Sequence, residues 1–194
     1  MQKTGLAAAL IALTVAMAGS ATAAVKVGDA TYEEKASVAG ESVTLAGAGM
    51  RTKVFFKVYA AGLYLNGTAK SLDAIAKLPA PLRVRLVMAR DVGAKTFVEA
   101  LVEGLADNSS EQVRARIAKE IDALVACMKK IGDVKTGDVI DFDYSDAHGT
   151  AVYVNGRRIE EKLGGRDLYM SVLGIWLGPK AIDASLKEAL LGAK

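Results

Sequence analysis

Runs of β-branched and aromatic residues with a period of two dominate the first part of the chain, and these patterns are typical of strands. They predict strands over Ala30 to Ala36, Ser42 to Leu45, Lys53 to Leu65 and Leu82 to Ala89. A short helix, Leu72 to Lys77, is predicted between the last two strands. Ser71 can cap its start, and Pro79 prevents its continuation.

The middle of the chain changes to helical spacing. Apolar residues recur every three or four positions over Gly93 to Ala106, which predicts an amphipathic helix. Ser109 and Gln112 then form a capping-box pattern, and a second helix is predicted from Ser109 to Gly132.

Strand patterns return after this helix and are followed by two further helical segments. The predicted strands are Val139 to Tyr144, Gly149 to Val154 and Arg157 to Glu160, and the predicted helices are Asp167 to Leu177 and Ile182 to Leu191. Strands, helices, strands and helices in this order predict an α+β fold built on an antiparallel sheet. Asp141 and Asp143 alternate with apolar residues, so we expect them on a solvated face.

The first 23 residues have the three parts of a secretory signal. A basic start precedes an uncharged run from Leu6 to Ala18, and Ala21-Thr22-Ala23 gives the small-x-small pattern of a cleavage site. We therefore expect a signal peptide over 1–23, cleavage after Ala23, a periplasmic protein and one mature domain over 24–194. The alternative is an N-terminal anchor that is never cut. The apolar run is too short for a membrane span, so no span is expected after cleavage.

Composition excludes several classes of function. A net charge of +3 gives no reason to propose a nucleic-acid partner. The single cysteine, Cys127, cannot form an internal disulfide, and with only one histidine, His148, a zinc site of the usual ligand types is excluded. His148 lies in a predicted turn, and Cys127 lies in a predicted helix as a packing residue. No metal and no cofactor are expected, and the sequence leaves the oligomeric state open.

The candidate site lies around Arg51 and Tyr59. Gly47 and Gly49, which mark a turn or a close backbone approach, precede Arg51, and an apolar run follows it. A guanidinium beside such a run needs an anionic or carbonyl partner. One interpretation is that Arg51 and Tyr59 together hold a carboxylate or carbonyl oxygen. The other is that Arg51 pairs with an internal acid and that Tyr59 is a half-buried core residue.

Two segments carry a resemblance to a known family. The pattern Gly47-Ala-Gly-Met-Arg51, followed by Phe56-Lys-Val-Tyr-Ala-Ala-Gly-Leu-Tyr-Leu65, resembles the signature of the chalcone isomerase family. The segment from Leu173 to Lys187 is similar to the exported bacterial chalcone isomerase-like proteins. The resemblance implies a large antiparallel sheet with helices packed on one face and a hydrophobic cleft between the two layers.

The resemblance also implies roles for the two candidate residues. In the plant enzymes a strand-associated arginine polarises the chalcone carbonyl, and Arg51 matches that residue. Tyr59 stands where those enzymes have threonine, and Thr96, Glu99 and Glu103 do not match their helix motif. An acidic Glu99 in place of a cation would oppose a phenolate. Non-catalytic relatives bind fatty acids with the arginine and a tyrosine on the carboxylate, and Tyr59 fits that branch better.

Three hypotheses follow from these residues. The first is a periplasmic binding protein, not an enzyme, that holds a fatty acid or another amphipathic carboxylate on Arg51 and Tyr59. The second is an isomerase that catalyses intramolecular addition to an enone, with Arg51 as the electrophile. The third is an accessory protein without a small-molecule ligand, in which Arg51 makes an internal ion pair.

Overall fold

A seven-stranded antiparallel sheet forms the centre of this computed structural model, which describes residues 24–160 and 163–192. Each strand pairs with the strand that follows it in the sequence. A small hairpin of β1 (Ala24–Val27) and β2 (Ala30–Glu33) precedes the sheet. The strands of the sheet are β3 (Lys35–Val38), β4 (Glu41–Lys53), β5 (Phe56–Leu65), β6 (Leu82–Met88), β7 (Val139–Ser145), β8 (Gly149–Val154) and β9 (Arg157–Arg158). The predicted signal peptide, 1–23, and its cleavage after Ala23 lie outside the described residues.

Helices cover one face of the sheet, so the α+β prediction with an antiparallel sheet is confirmed. They are α1 (Leu72–Ile75), α2 (Ala94–Asn108), α3 (Glu111–Arg116), α4 (Ala118–Ile131), α5 (Arg166–Leu177) and α6 (Ala184–Leu190). Helix α5 is buried almost all round, as its apolar composition predicts. The single helix predicted from Ser109 to Gly132 is wrong in two respects: Ser110 is the cap, and the backbone breaks at Ile117 into α3 and α4.

The small hairpin packs on the opposite face of the sheet. Tyr32 of β2 lies against Gly62 of β5, and a side chain at Gly62 would come within 2.5 Å of the Tyr32 ring. Tyr32 forms a second, smaller core with Ala60 and Tyr64. The strand predicted over 30–36 is therefore two strands, β2 and β3, which lie in different sheets.

The strand predicted over Lys53 to Leu65 is also wrong at its start. The chain turns at Val54, whose φ is +60°, so that Lys53 ends β4 and Phe56 begins β5. Gly47 and Gly49 lie inside β4, where α6 crosses the strand. A side chain at Gly47 would collide with the backbone carbonyl of α6, and one at Gly49 would lie 2.6 Å from the Ala189 side chain. The close-approach interpretation of these glycines is thus correct, and the turn interpretation is not.

Asp141 and Asp143 are buried, which corrects the prediction of a solvated face. Arg83 donates two hydrogen bonds to Asp143 at 2.6 and 2.7 Å, and Arg85 donates two to Asp141 at 2.7 and 2.8 Å. The sheet curls until β3 approaches β7. The aspartates tolerate burial because each charge has a bidentate partner on the neighbouring strand.

Candidate functional site

Arg51 of β4 and Tyr59 of β5 are direct neighbours across the hairpin. The guanidinium carbon lies 5.5 Å from the centre of the Tyr59 ring, a distance typical of a cation–π contact. The register shifts beside this pair and leaves Val58 as the extra residue of a β-bulge. Val58 and Tyr59 therefore both face the helix-covered core. The hairpin brings together the two residues that the sequence singled out.

The turn at Val54 also separates Lys53 and Lys57, which one continuous strand would place on the same face of the sheet. Lys53 lines the helix-side cleft together with Arg51. Lys57 lines a depression on the opposite face together with Met50 and Ala60. The cleft therefore receives one of the two lysines.

Trp176 of α5 completes the polar end of the site, and sequence reasoning missed this role. Its indole Nε1 donates a 2.8 Å hydrogen bond to the Tyr59 hydroxyl oxygen, and both residues are buried. The Trp176 ring also packs on Phe142 of β7, with ring centres 5.8 Å apart. The only signal in the sequence was that a buried indole N–H requires an acceptor, and this does not say which one.

Tyr59 remains a neutral phenol over a wide pH range. Burial raises its pKa to about 12, although the Arg51 charge and the Trp176 hydrogen bond both oppose that rise. The hydroxyl oxygen accepts from Trp176, and its own hydrogen has no acceptor among the described residues. The Tyr59 hydroxyl can therefore donate one hydrogen bond into the cleft.

Arg51 is half-buried and has a donor without a partner. Its Nε is fully buried without a hydrogen-bond acceptor, and no ion pair to Arg51 is found in residues 24–160 and 163–192. Asp183 is an acid whose charge raises the pKa of Tyr59. Its carboxylate accepts hydrogen bonds from the backbone N–H groups of Thr52 and Leu186. The described part of the chain thus lacks the internal ion pair that the third hypothesis requires. A buried donor left in this state is costly unless a ligand supplies the acceptor.

The pair lies where a small apolar cavity meets a wider outer cleft. The inner cavity has a volume of about 30 Å³ and lies between the sheet and helices α2 and α5. The outer cleft has a volume of about 300 Å³ and opens beside the start of α2. Four residues line both spaces: Arg51, Tyr59, Phe97 and Ala100. Apart from the Arg51–Tyr59–Trp176 group, the inner walls are apolar side chains.

The remaining residues considered from the sequence lie elsewhere or have structural roles. Thr96 lines the outer cleft, whereas Glu99 is exposed and pairs with Lys95 on the outer side of α2. His148 lies in the turn between β7 and β8, as predicted. Burial raises the pKa of Cys127 to about 11, so its thiol stays protonated and unreactive at neutral pH.

No cluster of three or more potential metal ligands occurs in the described residues. None of their helices combines the length and the apolar character that crossing a membrane requires.

The fold and the site define a class of protein: an α+β sandwich whose single layer of helices covers a curled antiparallel sheet, with an arginine and a tyrosine at the polar end of an apolar cleft. The chain belongs to the chalcone isomerase-like family, because the model of that family matches residues 24–192.

A solved structure with the same fold is the crystal structure of a fatty-acid binding protein of Arabidopsis thaliana. It is 16% identical in sequence, with a TM-score of 0.66, and the match covers 87% of this chain and 96% of that chain. The search of curated proteins gave no match. The match to the solved structure confirms the expected fold.

Proposed function

We propose that this protein is a periplasmic binding protein for a fatty acid or a similar amphipathic carboxylate, with the carboxylate on Arg51 and Tyr59. The observation that carries the proposal is the buried Arg51 Nε without an acceptor, beside a tyrosine hydroxyl that can still donate. A carboxylate offers acceptors to both donors at once. The signal-like segment over 1–23 supports the periplasmic location.

The fatty-acid-binding neighbour supports the choice of ligand class. The inner cavity has apolar walls, as an alkyl tail requires, whereas the outer cleft combines apolar side chains with the charged Lys53, Arg90 and Asp91. The outer cleft is at the lower end of the usual range of roughly 300–1,000 Å³ for ligand pockets. We infer that the tail begins there, along Val58, Met88 and Phe97.

A longer tail requires the inner cavity to widen, because 30 Å³ holds about two water molecules. The first half of α2 is the part that can move to widen the inner cavity. Its second half is fixed against α5 at Gly104, where a side chain would lie 2.9 Å from Ile175. Rotation of Phe97 and Leu101 away from the sheet would join the two spaces.

The decisive experiment compares Arg51→Ala with the matched variant Arg157→Ala, which removes an exposed arginine of β9. Palmitate binding is measured by calorimetry, with methyl palmitate as the ligand that lacks a carboxylate. Loss of a hydrogen bond to a charged group, at roughly 1.5–3 kcal/mol, predicts about 10- to 150-fold weaker palmitate binding for Arg51→Ala alone. Equal palmitate affinities for Arg51→Ala and wild type would refute the proposed head-group site.

Native mass spectrometry of the protein purified from its own periplasm separates this function from the ligand-free alternative. We expect a co-purified carboxylic acid that is lost in Arg51→Ala. A protein that carries no lipid and does not bind palmitate would contradict the proposal.

One observation keeps the isomerase function as a second candidate. Glu99, which would oppose a phenolate, lies on the outer side of α2 and does not line the cleft. Arg51 could then stabilise the enolate that develops when a hydroxychalcone cyclises. The test is cyclisation of a hydroxychalcone, and a rate equal to that in buffer would exclude this function.

A further inference from the structure

The turn between β4 and β5 exposes three large apolar side chains in succession. Val54, Phe55 and Phe56 are 77%, 90% and 62% exposed, and we call them the apolar tip. Val54 holds a φ of +60°, which is a strained conformation for a β-branched residue. Strained residues that persist are concentrated at functional sites. Three adjacent and largely exposed apolar side chains require an explanation other than folding.

Basic residues surround the apolar tip. Lys53 and Lys57 flank it in sequence, and the Arg90 guanidinium carbon lies 5.2 Å from the centre of the Phe56 ring. The segment 51–58 contains three cations and no acid. Asp91, beside Arg90, accepts hydrogen bonds from Lys135 and Thr136.

One further acid, Asp29, shares a depression with Lys57. It lies on the sheet face away from the cleft, whereas Lys53 and Arg90 both line the outer cleft. The cations at the cleft entrance therefore dominate the charge beside the apolar tip.

This combination identifies the kind of partner. Two copies of the tip would place like charges against each other, which disfavours a symmetric contact between copies. Aromatic side chains favour the interface between lipid head groups and acyl chains, while lysine and arginine reach the anionic head groups. Three apolar residues allow shallow, reversible binding and no insertion across the bilayer.

The tip also lies at the entrance to the cleft. Lys53 and Arg90 line the outer cleft together with Arg51 and Tyr59. A surface bound to the tip would therefore face the opening through which a ligand enters.

We propose that the apolar tip and its basic border dock the protein on an anionic phospholipid surface, with the cleft entrance facing the bilayer. Val54, Phe55 and Phe56 enter the head-group region, and Lys53, Lys57 and Arg90 contact lipid phosphates. This surface extends the proposed binding function, since it is the place where a lipid carboxylate would pass between bilayer and cleft.

The test is flotation with vesicles of pure phosphatidylcholine and with vesicles of equal parts phosphatidylcholine and phosphatidylglycerol. We expect the protein to bind only the anionic vesicles. Phe55→Ser should abolish this binding, whereas Val25→Ser, which changes an exposed valine of β1, should leave it unchanged. The double variant Lys53→Gln/Lys57→Gln should weaken binding about 25-fold, at about fivefold for each cation. Lys119→Gln/Lys129→Gln, which changes two exposed lysines of α4, serves as its charge-matched control.

A fluorescent variant gives a direct readout of insertion. Phe55→Trp should show a blue shift with anionic vesicles, against the constant signal of buried Trp176. Equal binding to both vesicle types, or full binding by Phe55→Ser, would overturn the proposal. Binding of the apolar tip to a protein partner, without any binding to vesicles, would also overturn the proposal.

Docking and ligand binding can fail separately. Tyr59→Phe leaves every charge and the tip unchanged, so it should bind vesicles like the wild type while its palmitate affinity falls. A protein that docks but binds no palmitate would contradict the proposed function and leave the docking surface standing.

Discussion

The buried Tyr59 makes this protein less stable at alkaline pH. Its pKa in the folded protein is about 12, against an ordinary value of 10.0, and burial is the principal cause. Below about pH 10 the phenol is protonated in both the folded and the unfolded chain, so the full contribution of Tyr59 to stability is present. Between about pH 10 and about pH 12 the unfolded chain loses this proton first. The free energy of unfolding therefore falls as the pH rises through this window.

The size of the effect follows from the shift in pKa. Each unit corresponds to about 1.4 kcal/mol, so a shift from 10.0 to about 12 predicts a loss of about 3 kcal/mol by pH 12. Tyr59→Phe removes the ionising group and therefore this part of the loss. Trp176→Phe acts in the opposite direction, because the Trp176 hydrogen bond lowers the Tyr59 pKa and its removal raises it further.

Guanidinium denaturation of the three proteins at a series of pH values measures these differences. Other buried tyrosines, such as Tyr32 and Tyr169, also have raised pKa values, so the informative quantity is the difference between wild type and Tyr59→Phe. That difference should change by about 3 kcal/mol between about pH 9 and about pH 12 in favour of the variant. A constant difference over this range would refute the reasoning about Tyr59.

Three further predictions concern the packing and charge of the fold and the space in the cleft. Gly47→Ala should lower the free energy of unfolding by about 1–3 kcal/mol, because the new methyl group displaces α6 from β4; thermal unfolding measures this, and an unchanged midpoint would contradict the close approach. Arg83→Met should cost about 3–5 kcal/mol in urea denaturation, because it leaves Asp143 buried without its bidentate partner. The double variant with Asp143→Leu should recover most of that loss, and no recovery would mean that the charge is not the cause. Ala100→Trp should fill the junction of the two cavities and prevent palmitate binding, while Ala126→Trp, at an exposed position of α4, should not; normal binding by Ala100→Trp would place the tail elsewhere.

Much of the fold could be predicted from periodicity, and the errors have identifiable causes. Most strands and helices lie within a few residues of their predicted bounds, because their apolar spacing is regular. The turn at Val54 could not be predicted, since none of the usual turn residues marks it and a positive φ is rare for valine. The tertiary packing of the hairpin imposes this conformation against local preference.

The unpredicted turn at Val54 also limited what could be predicted of the site. Arg51 and Tyr59 were singled out by residue type and by family resemblance, whereas the single strand predicted from Lys53 to Leu65 does not place Arg51 beside Tyr59. Trp176 could not be assigned because its partner is 117 residues away in the sequence. The burial of Asp141 and Asp143 depends on the arginines of β6, and single-strand alternation contains no information about a neighbouring strand.

The paired charges of β6 and β7 also restrict how these two strands can assemble. In the observed alignment Arg83 lies opposite Asp143 and Arg85 lies opposite Asp141. A slip of two residues would keep every side chain on its face, but it would set Arg83 against Ser145 and Asp141 against Val87. Two charges would then be buried without partners, whereas the apolar residues of the other face would pack almost as well. The ion pairs thus disfavour a strand register that hydrophobic burial alone would allow.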